Sequence, residues 1–269
     1  MRTRPPAVAG QFYPADPQGL AALVDEYLRG VRPAPDAARP VAVIAPHAGY
    51  QYSGAVAATA YAHLPAWRDE VSRVVVLGPA HFAPLHGMAV PSVEAFATPL
   101  GPIEIDDDAR TTATRTSGVT VDDRPHAGEH SLETQLPFLL RTLGPAVKVL
   151  PVVVGATPPA EVAGLLADLL AAPGTVAVVS TDLSHYLNLQ AARERDSRTT
   201  AAILARDAHA LRPVDACGYH PLRGLLHFAA HRDLAVELLR LATSADSGSG
   251  PRRVVGYGAF LLHDKAPTR

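Results

Sequence analysis

The stretch VAVIAPHAGYQYSG, residues 41–54, decides the fold. Its first five residues are small or β-branched and apolar without a break, the composition of a strand covered on both faces. A proline, a histidine and a glycine follow at once. Burial does not require His47, but the carboxyl end of a strand is where open α/β sheets place ligand-binding groups.

The pattern recurs. RVVVLGPAH, residues 73–81, is a second apolar run and ends in Gly78, Pro79 and His81; TVAVVSTDLSH, residues 175–185, ends in Asp182, Ser184 and His185. VKVLPVVVG and VVGYGAFLL supply two more apolar strands without such endings. Helical patterns fall between them. The first has Asp16 as N-cap, Pro17 at the first helical position, apolar Leu20, Leu23, Val24, Tyr27 and Leu28, and Gly30 to end it. Others are expected over 53–64, 130–142, 159–172, 191–206, 221–230 and 234–242. Strands alternating with helices argue for one domain over residues 1–269, an α/β/α sandwich on a mostly parallel mixed sheet. SADSGSGPR, residues 244–252, reads as a flexible surface loop.

The bulk properties narrow the function. A net charge of −2 provides no basic footprint for nucleic acid or an anionic membrane. No uninterrupted apolar run reaches the roughly 18 residues of a membrane span. The amino-terminal residues lack the apolar core of an export signal. Cys217 is the only cysteine, which excludes an intramolecular disulfide and points to a reducing, cytoplasmic setting. Competing motifs fail: GYGAFL lacks the third glycine of a dinucleotide fingerprint, and no GxxxxGK[ST], GxSxG or HExxH occurs.

What remains is a convergence of His47, His81, Asp182 and His185 at neighbouring strand ends, for which a transition-metal site is the simplest reading. Cys217 lies in DACGYHP with His220 three residues on, and the spacing leaves open whether sulfur or imidazole faces the site. HAGEHSLETQLPFLL, residues 126–140, is the other polar cluster. Helix capping alone could account for Glu129 and Glu133, while Glu129 or His130 is also a candidate pocket residue.

Seven blocks, PPAVAGQFYP, IAPHAGYQYSG, VVLGPAHF, GEHSLETQLPFL, VVSTDLSHY, ACGYHPL and VVGYGAF, resemble in order and along nearly the whole chain the Memo family, called AmmeMemoRadiSam system protein B in bacteria. The resemblance implies a fold similar to the class III extradiol dioxygenases, with His47, His81 and Cys217 as metal ligands. It places Asp182 and His185 in the polar pocket, with His185 as the acid/base group oriented by Asp182. Those dioxygenases use two histidines and a carboxylate, whereas a cysteine stands third here, and a thiolate favours Cu(I) or Zn²⁺ more than a carboxylate would. Fe²⁺ is the favoured metal, with copper or zinc as alternatives. Three functions follow as expectations: an iron-dependent redox enzyme acting on a small oxygenated substrate, a non-catalytic module binding a peptide as eukaryotic relatives do, or a zinc hydrolase with His185 or Glu129 as base. The bacterial name adds an Ammecr-type protein and a radical-SAM enzyme as partners.

Overall fold

The computed structural model describes residues 2–34 and 37–265. Continuous apolar runs become the strands of a nine-stranded sheet: β1 (Pro40–Ala45), β2 (Arg73–Pro79), β3 (Met88–Val90), β4 (Val119–Val121), β5 (Lys148–Val154), β6 (Thr175–Ser180), β7 (His185–Leu187), β8 (Ala235–Thr243) and β9 (Val254–His263). Their order is β7-β9-β1-β6-β2-β5-β3-β4, with β8 on the remaining side of β9. The centre, β1-β6-β2-β5, is parallel throughout. Antiparallel pairs flank it, so the sheet is mixed.

The central strands are apolar at consecutive positions because helices cover both of their faces. Val43, Ile44, Val75, Val76, Val178 and Val179 are all fully buried. Helices α1 (Pro17–Arg29), α2 (Tyr50–Tyr61) and α3 (Leu136–Leu143) pack on one another; α4 (Pro159–Leu170) and α6 (Tyr219–His231) form another layer; and α5 (Leu189–Ala205) lies against β8 and β9. Asp16 caps α1 through its carboxylate, which accepts from Gly19 N at 2.6 Å. Among the described residues no helix is long and apolar enough to cross a membrane.

Three expectations are revised. Residues 234–242, read as helix from Leu, Glu and Arg, form the edge strand β8, which pairs along β9 through a register shift between Leu238 and Arg240. SADSGSGPR is not simply a loose loop: Ser244–Ser247 is a 3₁₀ turn whose start is closed by a capping box between Thr243 and Asp246. The helix expected from residue 130 begins later, with a 3₁₀ turn at Glu133–Gln135 before α3.

Candidate metal centre

Strands β1, β6 and β2 are adjacent and parallel, so the residues just beyond their carboxyl ends share one edge of the sheet. This register brings His47, Asp182 and His81 together. Cys217 joins them from the turn before α6. The backbone N–H of Cys217 donates to Asp182 O at 3.3 Å, and Asp182 N donates to Cys217 Sγ at 3.3 Å. Gly218 makes this approach feasible, since a Cβ there would sit 2.6 Å from Thr181 Cβ. Gly78 does the same for the 129–132 segment, whose Ser131 Oγ would lie 2.6 Å from a Cβ at that position.

The hydrogen bonds around the two histidines fix their tautomers. Ser180 Oγ donates to Ser131 O at 2.6 Å and accepts from Gln135 Nε2 at 2.8 Å, so toward His47 Nδ1, 2.9 Å away, it can only accept. His81 Nδ1 lies 2.9 Å from the Glu129 carboxylate, which also only accepts. Both rings therefore carry a proton on Nδ1, which leaves Nε2 as the nitrogen of each ring that can bind a metal. Burial, then the neighbouring His81 and His130, holds His47 well below the usual imidazole range, as a neutral ligand requires.

Burial and then the charge of Asp182 push the Cys217 thiol up to about 12, against the hydrogen bonds it receives. The donor atoms of His47, His81 and Cys217 all lie within 4.8 Å of one another, and Cys217 Sγ is 3.3 Å from His47 Nε2. Metal bonds to sulfur and to imidazole run about 2.3 Å and about 2.0 to 2.1 Å. One ion can thus touch both atoms, and the site fits a metal.

The other residues singled out in the sequence divide. His130 faces the same space, with its ring stacked on His81 at 4.7 Å. Glu129 lies behind His81, not in the pocket: it accepts from His81 N at 2.7 Å, His81 Nδ1 and Ser131 N at 2.8 Å. Burial raises its pKa, but the His81 ring and these amides outweigh burial and hold it at about 2. Such a carboxylate is no free base. Nor does Glu133 cap a helix; it accepts from Arg4, Tyr13 and the amides of Ala7 and Val8. His220 points away, toward Thr157 O at 3.3 Å, so sulfur and not imidazole faces the site from the DACGYHP turn.

The expected orientation of His185 by Asp182 is absent. Asp182 Oδ1 accepts from His47 N at 2.8 Å, and burial keeps this carboxyl above its ordinary range. His185 Nδ1 donates instead to Leu183 O at 2.8 Å, which leaves Nε2 as its basic nitrogen.

A cavity of about 750 Å³ opens above these groups. His47, His81, His130, Asp182, His185 and Cys217 line its polar side. Sequence reasoning missed the rest of the lining, which includes Phe12, Tyr52, Ser249, Arg253 and Tyr257. The hairpin of β8 and β9 carries the 244–253 segment to the site, a long-range pairing with no local signature.

Fold and site together define an α/β-sandwich protein with an imidazole and thiol cluster at the carboxyl edge of a parallel sheet centre. Residues 4–261 match the family described as Memo-like protein. A MEMO1 family protein of Methanopyrus kandleri is 36% identical, over 96% of this chain and 98% of its own length. One from Methanosarcina acetivorans is 37% identical, over 97% and 100%. The chain belongs to the Memo family. A crystal structure of an uncharacterized Escherichia coli K12 protein covers 81% of this chain and 99% of its own, with a TM-score of 0.49 and 13% identity.

Proposed function

We propose that the protein is a metal-dependent redox enzyme acting on a small substrate, with His47, His81 and Cys217 as ligands and Fe²⁺ as the working metal. The observation that carries this reading is that Ser180 and Glu129 occupy Nδ1 of both rings, leaving Nε2 as the metal-binding nitrogen of each, in a cluster with one thiol beneath an open cavity. A purely structural cluster has no need of that arrangement. Ferrous iron bound there would supply one-electron chemistry and a coordination position for an oxygen ligand.

The chain's own residues do the rest. Ser180 and Glu129 hold the two ligand rings in place. Asp182 fixes the His47 backbone. His185, its Nδ1 proton committed to Leu183 O, accepts a proton from the substrate at Nε2 and returns it. The thiol at the centre suits a reducing compartment, and we assign the protein to the cytoplasm.

Sulfur ligation supports a second reading in which zinc takes the site and His185 serves as base in a hydrolysis. Elemental analysis after anaerobic purification separates the two. The redox reading expects iron, retained by wild type and lost from His47→Ala and His81→Ala, and O₂ consumption by iron-loaded protein with catechol-like compounds above that of free iron. Oxygen uptake no faster than that of metal-free protein with matched free iron, across a broad panel, would sink it.

A further inference from the structure

Arg253 is, among the described residues, the one arginine lining the cavity. Among the described residues it joins no ion pair and lies over a ring, its guanidinium carbon 5.0 Å from the centroid of Tyr186. Val254 and Val255 begin β9 and pair antiparallel with Leu187 and His185 of β7, and the pairing shifts register at Tyr186, so both residues of this contact stand at the β7–β9 junction. Tyr186 adopts φ 58°, a left-handed conformation that a tyrosine rarely takes, and its ring sits 5.7 Å from that of His185. A ring beneath the guanidinium positions the cation, and its N–H groups make no hydrogen bond among the described residues. Those groups are the part that grips a carboxylate or phosphate in a fork.

We propose that Arg253 is a substrate-recognition residue and that the molecule occupying the cavity carries an anionic group, a carboxylate or a phosphate, at the end away from the metal ligands. The inference rests on the reading of the cavity as the substrate site. Its placement is chemically consistent. The polar floor already holds the Asp182 carboxyl, so the place for an anion is the Arg253 side. The lining also holds the aromatic rings of Phe12, Tyr52 and Tyr257, which suit an apolar body on the same molecule. Tyr186 is a positioning residue that acts through Arg253.

Three probes of similar size test this: benzoate, phenyl phosphate and the neutral benzyl alcohol. Binding is titrated by ligand-observed NMR to full-length protein, metal-free and zinc-loaded. The expected result is that at least one anion binds wild type about tenfold more tightly than benzyl alcohol, in both metal states, with a preference that weakens in salt. Whichever of benzoate and phenyl phosphate is preferred identifies the anion. Arg253→Gln should abolish the preference, Arg253→Lys should keep part of it, and both should take up zinc as wild type does. If Arg253→Gln keeps the preference, or if the anions bind no better than benzyl alcohol, the proposal is overturned. Anion binding that needs zinc and survives in Arg253→Gln also overturns it. If wild type takes up no zinc but still shows the Arg253-dependent preference, the proposal stands and the metal reading falls.

Discussion

Glu129 holds His81 at two points: one carboxylate oxygen accepts from the ring Nδ1 at 2.9 Å and the other from the backbone N–H at 2.7 Å. The same carboxylate therefore sets the tautomer, the ring plane and the turn after β2. Glu129→Gln keeps the volume but turns one acceptor into a donor, which must face either the His81 amide or the ring. Metal affinity should fall about 10 to 100-fold, the usual scale for losing the partner of a ligating histidine. A chelator competition against wild type measures this. Unchanged affinity would mean that Nε2 of His81 does not face the ion.

Arg4 donates to Glu133 Oε2 at 2.6 Å, to His126 O at 2.6 Å and to Glu129 O at 2.6 Å, so the amino-terminal segment braces the segment that carries Glu129. Arg4 is 6% exposed and Glu133 fully buried. Arg4→Met removes the cation and leaves the carboxylate buried with only Tyr13 and two amides. Breaking such a pair from one side typically costs about 3 to 5 kcal/mol, which a urea denaturation curve would show. Adding Glu133→Gln should recover part of that loss, because the two residues act as one unit.

The sequence was most legible where local pattern and global topology agree. His47, His81 and Asp182 could be placed together because each ends an apolar run, and three such runs in one parallel sheet share an edge. The misreadings involve partners far along the chain. LAVELLRLAT carries helix-forming Leu, Glu and Arg, yet pairing with β9 overrides that propensity and leaves Leu238 and Leu241 exposed on an edge strand. Glu133 looked like a cap because its partner Arg4 stands 129 residues away. The choice between Cys217 and His220 depends on how the turn enters α6, which spacing does not encode. Arg253 was hidden for the same reason as its wall: only the long-range pairing of β7 with β9 brings it near Tyr186.

His185→Ala should separate proton transfer from metal binding. Its Nδ1 bonds to a backbone carbonyl and to no proposed ligand, so the variant should retain metal at the wild-type ratio. Turnover of any substrate found should drop about 10² to 10⁴-fold, the usual contribution of a general acid/base. Asp182→Asn acts elsewhere: its carbonyl oxygen can still accept from His47 N, so a milder effect is expected, visible in metal retention as well as in rate. Metal loss from His185→Ala would instead make that imidazole a ligand.

His126 provides a pH test away from the cavity. It is 2% exposed, and its Nε2 donates to Ala89 O at 3.1 Å. Burial, only partly offset by that hydrogen bond, lowers its pKa to about 4 from an ordinary value of 6.5. The sign follows from linkage. Between these two values the unfolded chain binds a proton that the folded protein refuses, so stability rises with pH across the window. Above about 6.5 both states are neutral and no penalty applies; below about 4 both are charged and the penalty has reached its limit. For this residue alone that limit is on the order of 3 kcal/mol. His47 and His130 are shifted the same way by burial and add to the slope, so the contribution of His126 must be taken as a difference. In His126→Gln the side-chain amide can still donate to Ala89 O but does not titrate. Urea denaturation at intervals from pH 5 to pH 8 should show a shallower rise for the variant than for wild type, by up to about 1.4 kcal/mol per pH unit. Parallel curves for the two proteins would show that His126 accepts its proton in the folded state as readily as in the unfolded one.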